Sequence, residues 1–484
     1  MVAFAGARDI INFINYSPKN ENNFIKRRKE GRRQMQTQQL ADYIADIHYE
    51  NLSAHVIEVA KKTVLDIIGV AIAGSSTKDA EIWERYYSSD KTSGGQANAW
   101  RGDFPRMGYK QAAALNAACG HILDFDDVLN EAIAHLGVVT VPAALAVSQK
   151  LSASGKRLIE AVTAGFEIGA RVGRAINPGS YRIWHTTGVV GALCSSAAVG
   201  KLLGLNGRLM QHAFGNAGTQ ASGLWEFMSD GAMSKPLHTA NATACGIRAS
   251  ELAELGLTGA SRILEGDQGM LRAFDTEYRP ELLTYGLGGE YMIAENSFKL
   301  YPCCRHTHSG ICSMDRLLKA HPVDAAHIAA IRVYTYTASK NLTDRPEPAT
   351  PYACKFSIQY CLSAMVINGG YDPKIFDAEA IDDPAIRRLM KRITVCDDDA
   401  INEGIKKDSS CWANRTEIVF DNGAVFCEST AYPPGDSHIP MSWDDLLSKF
   451  HSMTDGVLGR KCAEQLVSRI QALEKIDDVN MIFV

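Results

Sequence analysis

The chain has 484 residues and a formal net charge of −5, with 46% hydrophobic and 22% charged residues. This composition is typical of a globular protein and excludes disorder as the main state. The slight acidic excess gives no indication of a nucleic-acid or anionic-membrane partner. No uninterrupted apolar segment reaches the roughly 18–20 residues that a membrane helix needs. We therefore expect a soluble, cytoplasmic protein of two or three domains.

The 12 cysteines are irregularly spaced, and no secretory signal is visible at the N-terminus. Such a pattern favours reduced thiols, most of them buried as small hydrophobic side chains. Cys303 and Cys304 are adjacent, and no second pair accompanies them at the spacing of a zinc site. We expect no metal site and no cofactor.

Residues 1–34 differ from the rest of the chain. Basic residues cluster between positions 26 and 33, but acidic residues at positions 9, 21 and 30 argue against an organelle-targeting peptide. We predict a disordered extension. The alternative is a start codon assigned too early, with Met35 as the true first residue.

Residues 35–275 have the periodicity of helices. Apolar residues recur at intervals of three and four from Leu40 to Ile68, and segments 112–123 and 142–151 are rich in alanine. Gly165, Gly169 and Gly173 form a ridge of small residues along the helix predicted over residues 158–174. The glycines do not form a dinucleotide-binding fingerprint, because none lies between a strand and a helix.

The pattern changes after residue 275. Ile328–Thr337 alternates as a strand does, residues 393–395 and 416–420 are further strands, and Asp421-Asn422-Gly423 is a hairpin turn. After residue 434 the pattern is helical again, over 443–452 and 461–473. We predict a mainly α fold, in which residues 35–275 and 435–484 form a large all-helical domain and residues 276–434 an inserted, smaller α+β lid domain.

A cluster of acids lies in an otherwise apolar, helical region. Asp124, Asp126 and Asp127 fall within four residues, and His135 follows them. Carboxylates are almost never buried without a partner, because removing water from a charge costs several kcal/mol. The cluster is therefore either an exposed loop or part of a functional cleft.

Several other polar residues stand out because apolar residues or turns surround them. They are His185 at a helix start, Lys235 and His238 after a glycine turn, Cys304, Arg305 and His308 at the junction of the helical and α+β regions, and Tyr360 early in a helix. For most of these residues taken singly, a structural role is a commoner explanation than a catalytic or binding role.

Together, these groups suit a small polycarboxylate. Cationic side chains bind carboxylates, and a neutral imidazole can remove or deliver a proton at carbon. The cations and the helix N-termini can stabilise the negative charge that develops. A non-catalytic dimer that binds a carboxylate is the alternative from another class of protein.

The ordered set of motifs resembles the MmgE/PrpD family, which includes 2-methylcitrate dehydratases, cis-aconitate decarboxylases and iminodisuccinate epimerase. The resemblance covers the chain from about Thr37 to its C-terminus. The matching motifs are Asp124-Phe125-Asp126-Asp127 with His135, Gly165-Phe166-Glu167-Ile168-Gly169, Trp184-His185, Ser234-Lys235-Pro236-Leu237-His238, Tyr301-Pro302-Cys303-Cys304-Arg305 with His308, and Phe356-Ser357 with Tyr360.

The resemblance implies a homodimer whose active sites lie between the helical domain and the lid. It implies a cofactor-independent lyase, a dehydratase or decarboxylase, that transfers a proton next to a carboxylate of a citrate- or aconitate-type acid. An epimerase or isomerase of a small dicarboxylate such as iminodisuccinate is the alternative. The residues implied are Asp124, His135, His185, Lys235 and Tyr360 for catalysis, and Cys304, Arg305, His308 and His238 for substrate binding.

The sequence departs from the family's pattern at the entrance to the lid domain. Cys304 stands where animal cis-aconitate decarboxylases have histidine. A thiol does not do the work of an imidazole unchanged, and His306 or His308 are the substitutes nearby.

Overall fold

The computed structural model describes residues 35–88, 95–371, 373–377 and 379–484. The extension predicted over residues 1–34 lies outside the described residues. The described chain is mainly helical with a small mixed sheet in its C-terminal half, so the predicted fold class is confirmed.

The first region consists mainly of helices. In chain order they are α1 (Gln36–Ala45), α2 (Ala54–Ser75), α3 (Lys78–Ser88), α4 (Tyr109–Ile122), α5 (Gly137–Leu151), α6 (Gly155–Ile176), α7 (Thr186–Leu202), α8 (Gly207–Gly218), α9 (Lys235–Glu254) and α10 (Met270–Phe274). A two-stranded antiparallel ribbon, β1 (Ala97–Asn98) with β2 (Arg106–Met107), joins α3 to α4.

The second region mixes helices and strands, and the chain ends in two helices. These elements are α11 (His308–Ala320), β3 (Ile328–Thr335), α12 (Thr337–Thr343), α13 (Pro351–Cys354), α14 (Ile358–Asn368), α15 (Pro384–Met390), β4 (Ile393–Asp397), α16 (Asp399–Lys407), β5 (Asn414–Phe420), β6 (Val425–Thr430), α17 (Trp443–Leu458) and α18 (Arg460–Gln471).

Helix α6 packs closely on α7, as its glycine ridge predicts. A Cβ at Gly169 would lie 2.3 Å from Cys194 Sγ, and one at Gly165 would lie 2.8 Å from the Cys194 carbonyl oxygen. Only glycine allows the two helices to approach this far. The tight contact fixes α7, whose N-cap residue is His185.

The sheet has the order β4-β3-β5-β6. Strands β3 and β4 are parallel, and the other two pairs are antiparallel. The predicted hairpin turn joins β5 to β6, and Gly423 adopts the left-handed φ of 85° that favours glycine there.

The described chain has two large hydrophobic cores. The first reaches Phe298, resumes at Met441 and includes the C-terminal helices α17 and α18, whereas the second runs from Cys303 to Phe420. The segment of residues 299–308 therefore passes from one core to the other. The exact domain limits stay a prediction. Among the described helices, none is both long and apolar enough to cross a bilayer.

Candidate active site

Asp124 lies between α4 and α5 and is the centre of a buried ion cluster. Its Oδ1 atom is 3.0 Å from Lys235 Nζ and 2.7 Å from Lys299 Nζ. The three side chains are 2% exposed or less. Burial by itself would raise the pKa of Asp124, but the two ammonium groups and His135 hold it well below its usual range. The carboxylate is therefore ionised in the folded protein.

Separate elements supply the two lysines. Lys235 is the first residue of α9, where Pro236 fits the first turn because its missing N–H would have no helical partner. Lys299 precedes the junction with the second core, and its ammonium also donates to the Asp124 backbone carbonyl at 2.8 Å. Asp124 itself has a left-handed φ of 52°, which aspartate tolerates better than most residues.

Two histidines share the neighbouring carboxylate. Asp126 Oδ2 lies 2.8 Å from His121 Nδ1 and 3.2 Å from His135 Nδ1. His135 Nδ1 is also 2.8 Å from the Asp127 carbonyl oxygen. Because a carbonyl only accepts, His135 Nδ1 carries the proton, and its Nε2 is left with a lone pair 3.9 Å from Asp124 Oδ1. Burial lowers the pKa of His121 to about 4 and lowers that of His135 as well.

His185 completes a group of three imidazoles. Its ring stacks on that of His121 at 5.5 Å, and its Nδ1 lies 3.0 Å from His238 Nδ1. Its Nε2 is buried and has no hydrogen-bond partner among the described residues. Burial holds the pKa of His185 well below its usual range and lowers that of His238 to about 4. Neutral imidazoles at neutral pH are available as bases.

The three acids of the cluster have separate tasks. Asp127 accepts the Gly137 N–H at the start of α5, with both oxygens at 3.1 Å. Burial and the nearby charges of Asp126 and Asp66 raise its pKa well above the usual range, which favours its neutral form. Asp124 binds lysines and Asp126 binds histidines, and all three are buried. The cluster is thus no exposed loop.

A small cavity lies beside these groups, between the region that contains the first core and the region that contains the second. The space within it that the centre of a water molecule can occupy is about 20 Å³. Its lining residues are Asp124, Val128, Ile133, His135, Tyr181, Trp225 and Lys235 on one side, and Cys304, Arg305, His306, Phe356 and Trp412 on the other.

Of the residues predicted at the second side, Arg305 and Cys304 reach the cavity and His308 lies behind them. Arg305 Nη2 is 3.1 Å from Asp436 Oδ2, so its charge is paired. His308 Nδ1 is 3.3 Å from Arg305 Nη1. Burial raises the pKa of the Cys304 thiol to about 12, which keeps it protonated.

The structure corrects the placement of Tyr360. Its hydroxyl donates to the Ile375 carbonyl, and the ring is fully buried in the second core. Ser357 caps the first turn of α14 by accepting the Tyr360 N–H at 3.1 Å. Tyr360 is a core residue and does not point into the cavity as predicted.

Three polar residues of the site or its support were not predicted as site residues. They are His121, Lys299 and Lys355. His306, considered as a substitute for Cys304, lines the cavity. His121 lies in the Ala-rich helix α4, and Lys299 lies between Phe298 and Leu300, so each is the polar exception in an apolar stretch. That local contrast was the available signal. Their proximity arises only from the fold.

Two groups of side chains have ligand atoms close enough for a metal ion. Atoms of His121, His135 and His185 lie within 4.8 Å of one another, as do atoms of Asp124, Asp126 and His135. The two ammonium groups on Asp124 oppose a cation there. The expectation of no metal stays a prediction.

Residues 38–283 match the MmgE/PrpD N-terminal domain, and residues 301–475 match the MmgE/PrpD C-terminal domain. The chain is 26% identical over 465 residues to the cis-aconitate decarboxylase of Homo sapiens, covering 92% of this chain and 93% of that protein. It is 26% identical over 472 residues to that of Aspergillus terreus (92% and 94%) and 27% identical over 464 residues to that of Mus musculus (92% and 92%).

Proposed function

The chain belongs to the MmgE/PrpD family, and from this we propose that it is a cofactor-independent lyase acting on a small tricarboxylic acid. Decarboxylation of cis-aconitate is the leading reaction, since that is the activity named for relatives similar over nearly the whole chain. The observation that carries the proposal is the buried Lys235–Asp124–Lys299 cluster beside neutral histidines.

Lys235 is the group that we expect to bind a substrate carboxylate. Its ammonium has three donors, and Asp124 accepts one of them at 3.0 Å. Lys235 lines the cavity, so the remaining donors are close to any molecule bound there. A charge-assisted contact of this kind orients a carboxylate and is strengthened by the exclusion of water.

Decarboxylation of such an acid needs one proton at carbon. The bond to the departing carboxylate breaks and CO₂ leaves. The electron pair shifts the double bond, and the negative charge falls on a carbon next to a remaining carboxylate. Lys235 stabilises this charge, and His135 delivers the proton from Nε2. Substrate carboxylates beside His135 favour its protonated form, so the imidazole takes up a proton when substrate binds.

Substrate cannot enter the site as the structure shows it. A cavity of about 20 Å³ is sufficient for about one water molecule and too small for a six-carbon acid. The second side of the cavity, which carries Cys304, Arg305 and His306, therefore moves away before substrate binds.

We also propose that the protein is a homodimer, as the resemblance implies. Light scattering tests this oligomeric state.

The test is a substrate panel. Purified protein is incubated with cis-aconitate, citrate, 2-methylcitrate and iminodisuccinate, and products are followed by NMR. We expect CO₂ loss from cis-aconitate. Loss of water from one of the hydroxy acids would reassign the enzyme as a dehydratase. A carboxylate that raises the melting temperature without any turnover would favour the non-catalytic binding protein.

A further inference from the structure

Three successive backbone carbonyls at the site each accept a hydrogen bond from a lysine. The Leu123 carbonyl is 2.8 Å from Lys355 Nζ, the Asp124 carbonyl is 2.8 Å from Lys299 Nζ, and the Phe125 carbonyl is 2.9 Å from Lys449 Nζ. These are the carbonyls of Asp124 and of the residues on its two sides. We propose that Lys355 and Lys449 are positioning residues that hold Asp124 in its catalytic place, an inference that rests on the proposed function.

The two lysines do not touch the cavity. Lys355 and Lys449 are each 8% exposed and are absent from the cavity's described lining. Lys449 Nζ lies 2.7 Å from Asp66 on α2 and 4.0 Å from the centre of the Phe125 ring. In the closed site, each lysine therefore acts on Asp124 through the backbone.

Asp124 needs such support because its backbone is strained. A φ of 52° is uncommon for a residue other than glycine and persists only where the surroundings impose it. The direction of the carboxylate, and hence its 3.0 Å contact with Lys235, follows from this backbone conformation. The hydrogen bond from Lys355 to the Leu123 carbonyl holds the peptide plane before Asp124, and the one from Lys299 to the Asp124 carbonyl holds the plane after it. The hydrogen bond from Lys449 to the Phe125 carbonyl holds the next plane along the chain.

Holding the segment with ammonium groups is unfavourable for the lysines themselves. Burial lowers the pKa of Lys355 to about 8 and also lowers that of Lys449. Asp66 compensates Lys449, whereas Lys355 has the carbonyl as its direct partner. A purely structural contact could use a neutral donor, so the use of buried charge at these positions agrees with a role at the site.

The lysines come from distant parts of the chain. Lys355 follows α13 in the second core, and Lys449 lies on α17 in the C-terminal region. The Lys355 contact forms only while the two cores are packed together. Closure of the second region therefore completes the positioning of Asp124, so that the Asp124 carboxylate is in place when water has been excluded.

The test compares two variants with a matched control. Lys355→Met removes an ammonium and leaves no carboxylate unpaired. Asp66→Asn/Lys449→Met removes both members of a buried ion pair and so avoids an isolated charge. The control is Lys62→Met: Lys62, also on α2, donates to the Met441 carbonyl at 2.9 Å and lies at the same α2–α17 interface.

We expect each of the two variants to lower kcat by roughly 10- to 100-fold while KM changes by less than about threefold, because Asp124 is displaced and substrate still binds Lys235. Lys355→Arg, which retains a donor, should recover part of the kcat. The control should lower the melting temperature and leave kcat within about twofold. A wild-type kcat in either test variant overturns the inference.

A crystallographic measurement separates this inference from the proposed function. If the unaltered protein turns over no carboxylate, the proposed function fails and the structures of the two variants decide the inference. We expect Asp124 to leave its left-handed conformation and its Oδ1 to move away from Lys235 Nζ. Retention of the 3.0 Å contact and of the φ of 52° in both variants overturns the inference.

Discussion

Asp124→Asn tests the electrostatics of the site with little change in shape. Asparagine tolerates the left-handed φ of 52° as aspartate does, so the backbone is not perturbed and only the charge is lost. Lys235 and Lys299, 3.0 Å and 2.7 Å from Oδ1, are then buried without their shared counter-ion. Removing one partner from a buried pair costs roughly 3–5 kcal/mol, and we expect a loss of this size in the free energy of unfolding at pH 7.

The loss should also depend on pH. In the unaltered protein Asp124 outweighs burial and keeps the pKa of Lys299 raised. In the variant the charge of Asp124 is lost and Asp126 is left to oppose burial, so we expect Lys299 to bind its proton more weakly in the folded than in the unfolded chain. The unfolded chain then holds more protons, and the stability of the variant rises with pH towards the range where lysine titrates in water.

Asp127→Asn is the matched control, since Asp127 lies in the same segment, is equally buried and has a raised pKa that favours its neutral form. It should change the free energy of unfolding by roughly 1 kcal/mol or less. Urea titrations followed by circular dichroism at several pH values measure both variants. The reasoning is refuted if Asp124→Asn destabilises the protein no more than Asp127→Asn does.

Four further predictions follow from the same geometry. Lys235→Met should lower kcat/KM by about 10²-fold in a steady-state assay, with little change in melting temperature because Lys299 still pairs with Asp124. Tyr360→Phe should leave kcat unchanged and reduce the free energy of unfolding by about 1 kcal/mol, since its hydroxyl bonds a carbonyl in the second core; a large fall in kcat would restore it to the site. The free energy of unfolding should fall as pH drops from about 6.5 towards 4, because His121 has a pKa of about 4 in the folded chain and is protonated at higher pH in the unfolded chain. The loss from this histidine alone is roughly 3 kcal/mol. A urea midpoint that stays constant over that range would contradict the neutral state of buried His121. Dialysis against a chelator should leave turnover unchanged, and loss restored by a divalent cation would show a metal at the histidine group.

Periodicity predicted the elements of the fold because each helix or strand has its own repeat. The helices on either side of the acid cluster and the hairpin at Gly423 are where the spacing of apolar residues and turn residues placed them. The two-stranded ribbon of β1 and β2 was missed, since two residues in each strand give no alternation to detect.

The site was predictable only where its residues form local motifs. Asp124 and His135 stand out in one stretch of sequence, and the structure brings them within 3.9 Å. Lys299 and Lys449 reach the same segment from positions 175 and 324 residues away from their partners, and neither lies in a recognisable motif. Tyr360 shows the converse, because its motif was recognised but its ring packs in the second core and its hydroxyl bonds the Ile375 carbonyl.

The central claim is that the site removes CO₂ from a tricarboxylate and places a proton at the carbon next to a remaining carboxylate. Incubating the protein with cis-aconitate in D₂O and following the product by NMR tests this directly. The account predicts CO₂ release with one deuteron at that carbon, and it predicts that both occur about 10²-fold more slowly in Lys235→Met. Exchange of a carbon-bound hydrogen for deuterium without loss of CO₂ or water would contradict it and indicate an epimerase or isomerase.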